Sequence, residues 1–448
     1  MRTWFLHARE SFWFLPTLFG LGAVLLALGL TEVDRLLLAH GIRSIPLITD
    51  LSATGGRAIL TVIGGTMLGV AATSFSITIS VLATTSSAYG PRLVRNFMAD
   101  RGNQLVLAVL TSTFLYTLVV LRAVRTEQDS TSAFVPVIAV TFAVILALVD
   151  VAVLVYFIHH IASSVQVTTL QTRVLQELLA VIDLLYPKEP GRTAAPLPLE
   201  DLWVEETFAA AAAGYVQYVD IDNLIEFAES NRTIIRVLTP PGTYVLEGQP
   251  IAESLNAKTS DKRAGSRPNQ QQTDAEDSTK KVMSAISIDS PRTPHQDLLF
   301  AAQGLTEIGV RGLASGTNDP YTAVAAIDAL SSALVTLCTR PPASNRVPGK
   351  DGELRVICEW PTPPEVIADT LQAIRTYGMQ HPLVVRAASQ LLQRIASVTA
   401  PPDRQWLREE VTAFRTAHLA TNPAPFDASA TLGSLDKILV FLSRGADK

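Results

Sequence analysis

The chain has 448 residues, 48% of them hydrophobic and 17% charged, with a net charge of −5. That length holds two or three domains, and the apolar excess is high for a purely soluble protein. With no basic stripe the charge gives nothing for nucleic acid to bind, and the two cysteines, Cys338 and Cys358, match no zinc or CxxC spacing and are read as reduced thiols, with a disulfide between them as the alternative.

The long uncharged runs lie almost entirely before Ile161. Arg2 and Arg9 precede a first run, Ser11 to Leu30, followed by TEVDR; it exceeds the about 7–15 apolar residues of a signal peptide and is read as a retained membrane helix. Leu30 to Arg57 reads as a loop of mixed charge, closed by Pro46 and Gly55-Gly56. From Ala58 to Pro91, AILTVIGGTMLGVAATSFSITISVLATTSSAYGP carries no formal charge over 34 residues, enough for a hydrocarbon core of roughly 30 Å. Within it Thr66, Gly69, Thr73, Ser76, Ser80, Thr84 and Ser87 recur at steps of three and four. They form one helical face, roughly 32 Å long at about 1.5 Å per residue. Gly65 and Gly69 form a small-xxx-small pair that permits close helix approach.

A short basic stretch follows with Arg92, Arg95 and Arg101, suited to fixing orientation and meeting anionic headgroups, a specific anion site being the sharper alternative. Third and fourth apolar runs extend from Gly102 to Leu121 and from Ala133 to Ile158. His159-His160 close the fourth and are read as interfacial anchors, with pH sensing as the alternative. Four spans put both termini on one side. Arg2, Arg9, Arg92, Arg95, Arg101 and Arg173 near that side, against Arg35, Arg43, Arg57, Arg122 and Arg125 opposite, place both termini in the cytoplasm.

Asp150 lies within ILALVDVAVLV, about 7 Å from the midpoint of its helix. A carboxylate there costs a few kcal/mol unless it pairs, protonates or meets water, roughly 3 kcal/mol on insertion scales. It is read as a proton- or cation-handling group facing the hydroxyl seam, or as a protonated or hydroxyl-bonded residue that fixes helix packing. The seam likewise has two readings, a water-lined path or a dry packing surface whose hydroxyls bond back to carbonyls four residues earlier.

Beyond Ile161 the composition is soluble. Leu170, Val174, Leu178 and Val181 continue a helical face, and Pro187, Pro190, Pro196 and Pro198 break it. GYVQYVD, IDNLIEFAES, TIIRVLT and TYVLEG predict a strand, a short helix and two strands turned by Pro240-Pro241-Gly242. The layout is similar to small ligand-sensing lobes attached to transporters, an analogy of fold alone. Leu255 to Lys281 is too polar to bury a core and reads as a disordered insertion. A strand at VMSAISI, helices near 296–314, 320–338, 364–378, 382–399, 403–420 and 430–444, and a strand at ELRVICEW complete the chain. The domain reading is 1–163 four-helix transmembrane domain, 164–199 connecting helix and Pro-rich linker, 200–254 small α+β lobe, 255–281 insertion and 282–448 mainly helical cytoplasmic domain.

The sharpest local pattern is Gly316-Thr317-Asn318-Asp319-Pro320-Tyr321-Thr322. Asn318 or Asp319 caps a helix whose first turn accepts Pro320. The functional alternative is a site at that helix start: Arg292 and Arg311 supply positive charge, Asp297 and Asp319 tune it, and Asn318 and Thr322 line it.

Several blocks resemble a bacterial family of predicted membrane proteins, domain of unknown function 2254. They are FSITISVLATTSSAYGPRLVRNFMADRGNQ, TFLYTLVVLRAVR, GYVQYVD with PPGTYVLEGQPI, RTPHQD, and VRGLASGTNDPYTAVAAIDAL, in the family's order. The resemblance implies four N-terminal membrane helices and a cytoplasmic C-terminal region in a bacterial inner membrane, and no activity. The chain departs from the family pattern in its polar insertion and in Ala-Ser-Gly-Thr before Asn318, where relatives keep Ser-Pro-Gly.

GxxxxGK(S/T), HExxH, GxSxG and dinucleotide fingerprints are absent from the sequence, which argues against ATP-driven transport and the commonest hydrolases. No catalytic residue, cofactor or metal-ligand set is assigned. The fold expected is a mostly α integral membrane protein, four transmembrane helices followed by a cytoplasmic α+β lobe and a helical C-terminal lobe. The function expected is an oligomeric, channel-like or transport-linked inner-membrane protein with a cytoplasmic regulatory region. Its path is bordered by Thr66, Thr73, Ser76, Ser80, Thr84 and Asp150, since a path shared between subunits needs fewer helices per chain. Its partners are the bilayer, further copies of the chain and a small ion or solute. A membrane-anchored sensor or scaffold is the runner-up, and an envelope- or lipid-directed enzyme built on Arg292, Asp297, Arg311 and Asp319 the third reading.

Overall fold

The structure, a computed structural model, describes residues 13–40, 52–89, 100–125, 134–164, 166–190, 194, 202–257 and 278–444. Arg2, Arg9, Arg43, Arg92 and Arg95, and the side chain of Ser87, lie outside the described residues. Two compact units emerge, Met1–Thr169 and Leu170–Lys448.

The first unit holds α1 (Phe14–Ala39), α2 (Ala53–Tyr89), α3 (Arg101–Ala123) and α4 (Val137–Ser164). Each is long and apolar enough to cross a membrane. Large aliphatic side chains such as Leu25 and Leu148 point outward, so these helices meet the lipid of the bilayer, where a helix satisfies its own backbone. Helix α3 is central and packs against the other three, burying Val106, Leu110, Tyr116 and Val120. Asp100 starts it by accepting from the Gly102 N–H at 2.8 Å.

Helix α1 runs nine residues past Leu30, through the TEVDR that reads as loop in the sequence. Glu32 and Arg35 pair across one turn at 3.0 Å. Asp34 turns into the bundle and accepts from the backbone N–H groups of Ile138 at 3.1 Å and Ala139 at 3.0 Å. The first turn of α4 is thus capped by a carboxylate from another helix, which satisfies donors that a helix start leaves open.

The second unit begins within α5 (Val167–Leu185), whose apolar face buries Val174, Leu178 and Val181. Then come β1 (Leu202–Ala209), β2 (Gly214–Val219), α6 (Ile221–Asn231), β3 (Ile234–Val237), β4 (Tyr244–Val245), β5 (Pro250–Ala257) and β6 (Ile286–Asp289). The chain continues with α7 (Leu298–Gly312), α8 (Pro320–Thr339), β7 (Arg346–Pro348), β8 (Leu354–Cys358), α9 (Pro363–Tyr377), α10 (Pro382–Val398), α11 (Arg404–Ala420) and α12 (Pro425–Ser443). One sheet has the order β1-β5-β3-β8-β7 and the other β4-β2-β6. Phe208, Val216, Leu224, Ile235 and Val356 share one core between them.

Several expectations change here. Pro240-Pro241-Gly242 carries the chain from β3 in one sheet to β4 in the other and does not turn a hairpin. The sheets also take β6, β7 and β8, and β3 pairs in parallel with β8, so the α+β part is completed by residues beyond 282. VMSAISI is strand only from Ile286, the preceding residues 278–285 being helical. Leu255 is buried in β5, so ordered structure reaches Ala257 and resumes at 278; the rest of the predicted insertion, 258–277, lies outside the described residues. The last helix starts at Pro425, five residues early, because proline fits its first turn.

Helix α8 also meets the length and apolarity of a span. It belongs to the second unit, where it packs against α7 and α10 and pairs Asp328 with Arg394 at 2.8 Å.

Candidate functional site

The polar groups of the membrane unit fall into two sets. Asp150 points inward from α4 and is 1% exposed. The Thr113 hydroxyl of α3 donates to its Oδ1 at 3.2 Å, and Oδ2 is buried with no hydrogen-bond partner. Ten residues earlier on α3, the Asn103 amide is buried with neither its nitrogen nor its oxygen bonded. At the start of α3, Asp100 Oδ1 also meets His160 Nε2 of α4 at 3.0 Å. A Cβ on Gly102 would lie 2.6 Å from that nitrogen, so the pair needs glycine there. His160 in turn stacks on Tyr156, centroids 5.4 Å apart.

The hydroxyl seam faces the other way. Leu60, Ile63, Gly64, Ala71, Ser74 and Thr78 form the buried face of α2, whereas Thr66, Gly69, Thr73, Ser76, Ser80 and Thr84 are all exposed. At 3.6 residues per turn the two faces lie about 140° apart. Asp150 therefore does not face the seam as the sequence suggests; its hydroxyl partner is Thr113 of α3. The close approach of α2 to α3 occurs at Gly64, where a Cβ would meet Thr117 Oγ1 at 2.8 Å. A methyl at Gly65 or Gly69 would meet nothing within 4 Å among the described residues. Thr66, Thr73 and Thr84 donate to the carbonyls of Val62, Gly69 and Ser80 at 2.7, 2.9 and 2.9 Å, whereas Ser76 and Ser80 show no side-chain hydrogen bond among the described residues.

The predicted cluster in the second unit splits in two: Arg292 lies with Asp297, and the Arg311 end of its helix meets the Asn318–Thr322 turn, where the Asp319 N–H donates to the Gly312 carbonyl at 2.7 Å. Arg292 and Asp297 sit at the start of α7 and Arg311 at its end, about 21 Å away at about 1.5 Å per residue. Arg292 Nε donates to Asp297 Oδ2 at 2.6 Å and its Nη2 to Oδ1 at 3.2 Å, while Oδ1 also accepts from the Phe300 N–H at 2.9 Å. Arg292 lies 4.8 Å from the Phe300 ring centroid. Asp297 is thus a buried N-cap held by a bidentate guanidinium. Arg311 pairs with Glu307 one turn back at 2.9 Å.

Asp319 caps α8. Its Oδ1 accepts from Tyr321 N–H and Thr322 N–H at 3.1 and 3.2 Å, and its Oδ2 accepts from the Thr322 hydroxyl at 2.6 Å. These bonds, led by the Thr322 hydroxyl, hold its carboxyl below the usual carboxylate range. Asn318 sits at φ 45°, a left-handed conformation that asparagine tolerates. The Thr322 carbonyl accepts from Gln171 of α5 at 3.1 Å. The local geometry of Asn318, Asp319 and Thr322 is that of a helix start, and the four-residue group behind an enzyme reading is split between helix ends.

An open groove of about 950 Å³ on α9 and α11 is lined by Arg375, Gln405, Arg408, Glu409 and Thr412 and takes in none of the residues singled out from the sequence. Among the described residues no cluster of three His, Cys, Asp or Glu side chains is placed to hold a metal ion. Sequence reading missed Asp34, whose signal was the continuation of the apolar helix period through LLLA after TEVDR.

A family described as predicted membrane protein (DUF2254) matches residues 9–394. The chain is 31% identical over 413 residues to the uncharacterized protein MT1328 of Mycobacterium tuberculosis (strain CDC 1551 / Oshkosh), covering 89% of this chain and 74% of that one. The same figures relate it to the uncharacterized protein Mb1321c of Mycobacterium bovis (strain ATCC BAA-935 / AF2122/97). No solved structure matches.

Proposed function

From the premise that the chain belongs to the DUF2254 family of predicted membrane proteins, we propose that it works as an oligomer, channel-like or transport-linked, whose copies meet along the outward face of α2. The observation that carries this reading is the exposed row Thr66, Gly69, Thr73, Ser76, Ser80 and Thr84, on the side of α2 turned away from its buried face. Small residues let helix backbones come close, and hydroxyls bond across such contacts in lipid. Between copies the same row borders a polar path, with a small ion or solute as the permeant. Both termini lie in the cytoplasm of the inner membrane, following the arginine bias, and the second unit regulates.

The test is flux. Full-length protein in liposomes passes small ions, and replacing Ser76 and Ser80 by leucine reduces that flux while the protein stays folded. Vesicles that are tight at every pH and ion tried remove the conduit. A specific observation favours a second reading: the hydroxyls of Thr66, Thr73 and Thr84 are spent on their own helix, which suits a dry dimer seam in an anchored sensor or scaffold. Under that reading copies still associate along α2 and no flux appears.

A further inference from the structure

We propose that Asp150 is a reversible protonation site enclosed within the helix bundle of each protomer. The site is complete inside one chain, so it stands whether or not copies meet along α2.

The argument starts from hydrogen-bond supply. An ionised carboxylate offers about four lone-pair sites and asks for charge-assisted donors. Asp150, 1% exposed, receives one neutral donor, the Thr113 hydroxyl, and its Oδ2 receives none. Asp34 of the same unit shows the contrast, with two backbone N–H donors at the start of α4. Proton uptake removes the charge at Asp150. The 3.2 Å contact survives the change with its direction reversed, the carboxyl O–H donating to Thr113 Oγ1.

Among the described residues, none of the titratable and charged groups on the surrounding helices bonds to Asp150, whose one hydrogen-bond partner is Thr113. On α1, Asp34 bonds at the far end of α4, about 17 Å along the axis, and Glu32 pairs with Arg35; His40 bonds the Leu36 carbonyl. On α2, Arg57 donates to the Val124 carbonyl. On α3, the Tyr116 hydroxyl donates to the Ala139 carbonyl, while Arg101 and Arg122 sit at the helix ends. On α4, His160 pairs with Asp100 and stacks on Tyr156, next to His159, about 15 Å from Asp150. Among the described residues no cation pairs with Asp150.

The donor set also chooses the ligand. A hard metal cation takes about six oxygens, and the contacts here provide one carboxyl and one hydroxyl. A proton needs only the carboxyl.

Infrared difference spectroscopy on the full-length protein in lipid nanodiscs tests this through the C=O stretch of a protonated carboxyl. The result expected is a band, missing in Asp150→Asn, that moves on deuteration and disappears reversibly as pH rises. Thr113→Val keeps the band and shifts it to higher wavenumber, because the hydroxyl partner is gone; this variant identifies the band even where Asp150→Asn fails to fold. Two results overturn the proposal. One is the absence of any band sensitive to Asp150 or Thr113 at every pH. The other is such a band unchanged across the whole pH range in which the protein stays folded, which makes it a fixed structural proton.

Discussion

Gly242→Ala is the sharpest test of the view that Asp297 and Arg292 hold the second unit together and form no reaction centre. Gly242 has φ +92°, and a methyl there would lie 2.2 Å from Asp297 Oδ2 and 2.5 Å from its Cγ. The carboxylate must retreat by roughly 1.0–1.3 Å to reach ordinary contact at about 3.5 Å. Three contributions follow. A side chain in the left-handed region costs about 1 kcal/mol. Loosening the N-cap of α7 costs about another 1 kcal/mol. Weakening the charge-assisted bonds to Arg292 adds about 1.5–3 kcal/mol. The expected loss is therefore about 3.5–5 kcal/mol, read as a lower denaturation midpoint of the full-length protein by fluorescence of Trp203, Trp360 and Trp406. In an Asp297→Ala background the same glycine change costs only about 1 kcal/mol, since the clash is gone. A loss below about 0.5 kcal/mol in the wild-type background refutes the reasoning.

The remaining predictions follow from separation and burial. Asp297→Asn and Arg311→Ala act at opposite ends of α7, so their effects on stability add within about 0.5 kcal/mol; a larger coupling in a double-mutant cycle would bring back a shared site. His418 is buried with neither ring nitrogen bonded, and burial holds its pKa below the ordinary 6.5. The unfolded chain then binds the proton first, so stability is full above about pH 6.5 and falls with acid until the lower folded pKa is passed; His418→Leu flattens that dependence, measured by denaturation at several pH values. Burial pushes the Cys358 thiol up to about 12, so alkylation at neutral pH is slow in the folded protein and becomes rapid on unfolding.

Much of the membrane unit is legible in the sequence because long apolar runs have one physical explanation. The two helix caps are legible too: Asp297 and Asp319 precede apolar periods, and Pro320 marks a first turn. The separation of Asp297 from Arg311 was also available, since one predicted helix, 296–314, contains both. What sequence could not give is direction. The period of α2 defines the hydroxyl row, but its opposite face carries Ser74 and Thr78, and only packing against α3 shows which face turns inward. The parallel pairing of Ile235 with Val356 joins residues too far apart in the chain for local pattern to link them. Asp34 hides for a different reason: a charged patch between apolar segments looks like a loop until its carboxylate is seen on Ile138 and Ala139.

The central claim is that the outward hydroxyl face of α2 meets the same face of another copy. Thr73→Cys and Ser76→Cys, made singly in a chain with Cys338 and Cys358 replaced by alanine, test it by oxidative cross-linking in native membranes. Leu148→Cys on the lipid-facing side of α4, 68% exposed, is the comparison. The account predicts covalent dimers from both α2 positions and none from Leu148→Cys. Monomer at all three positions, or equal dimer from all three, contradicts it.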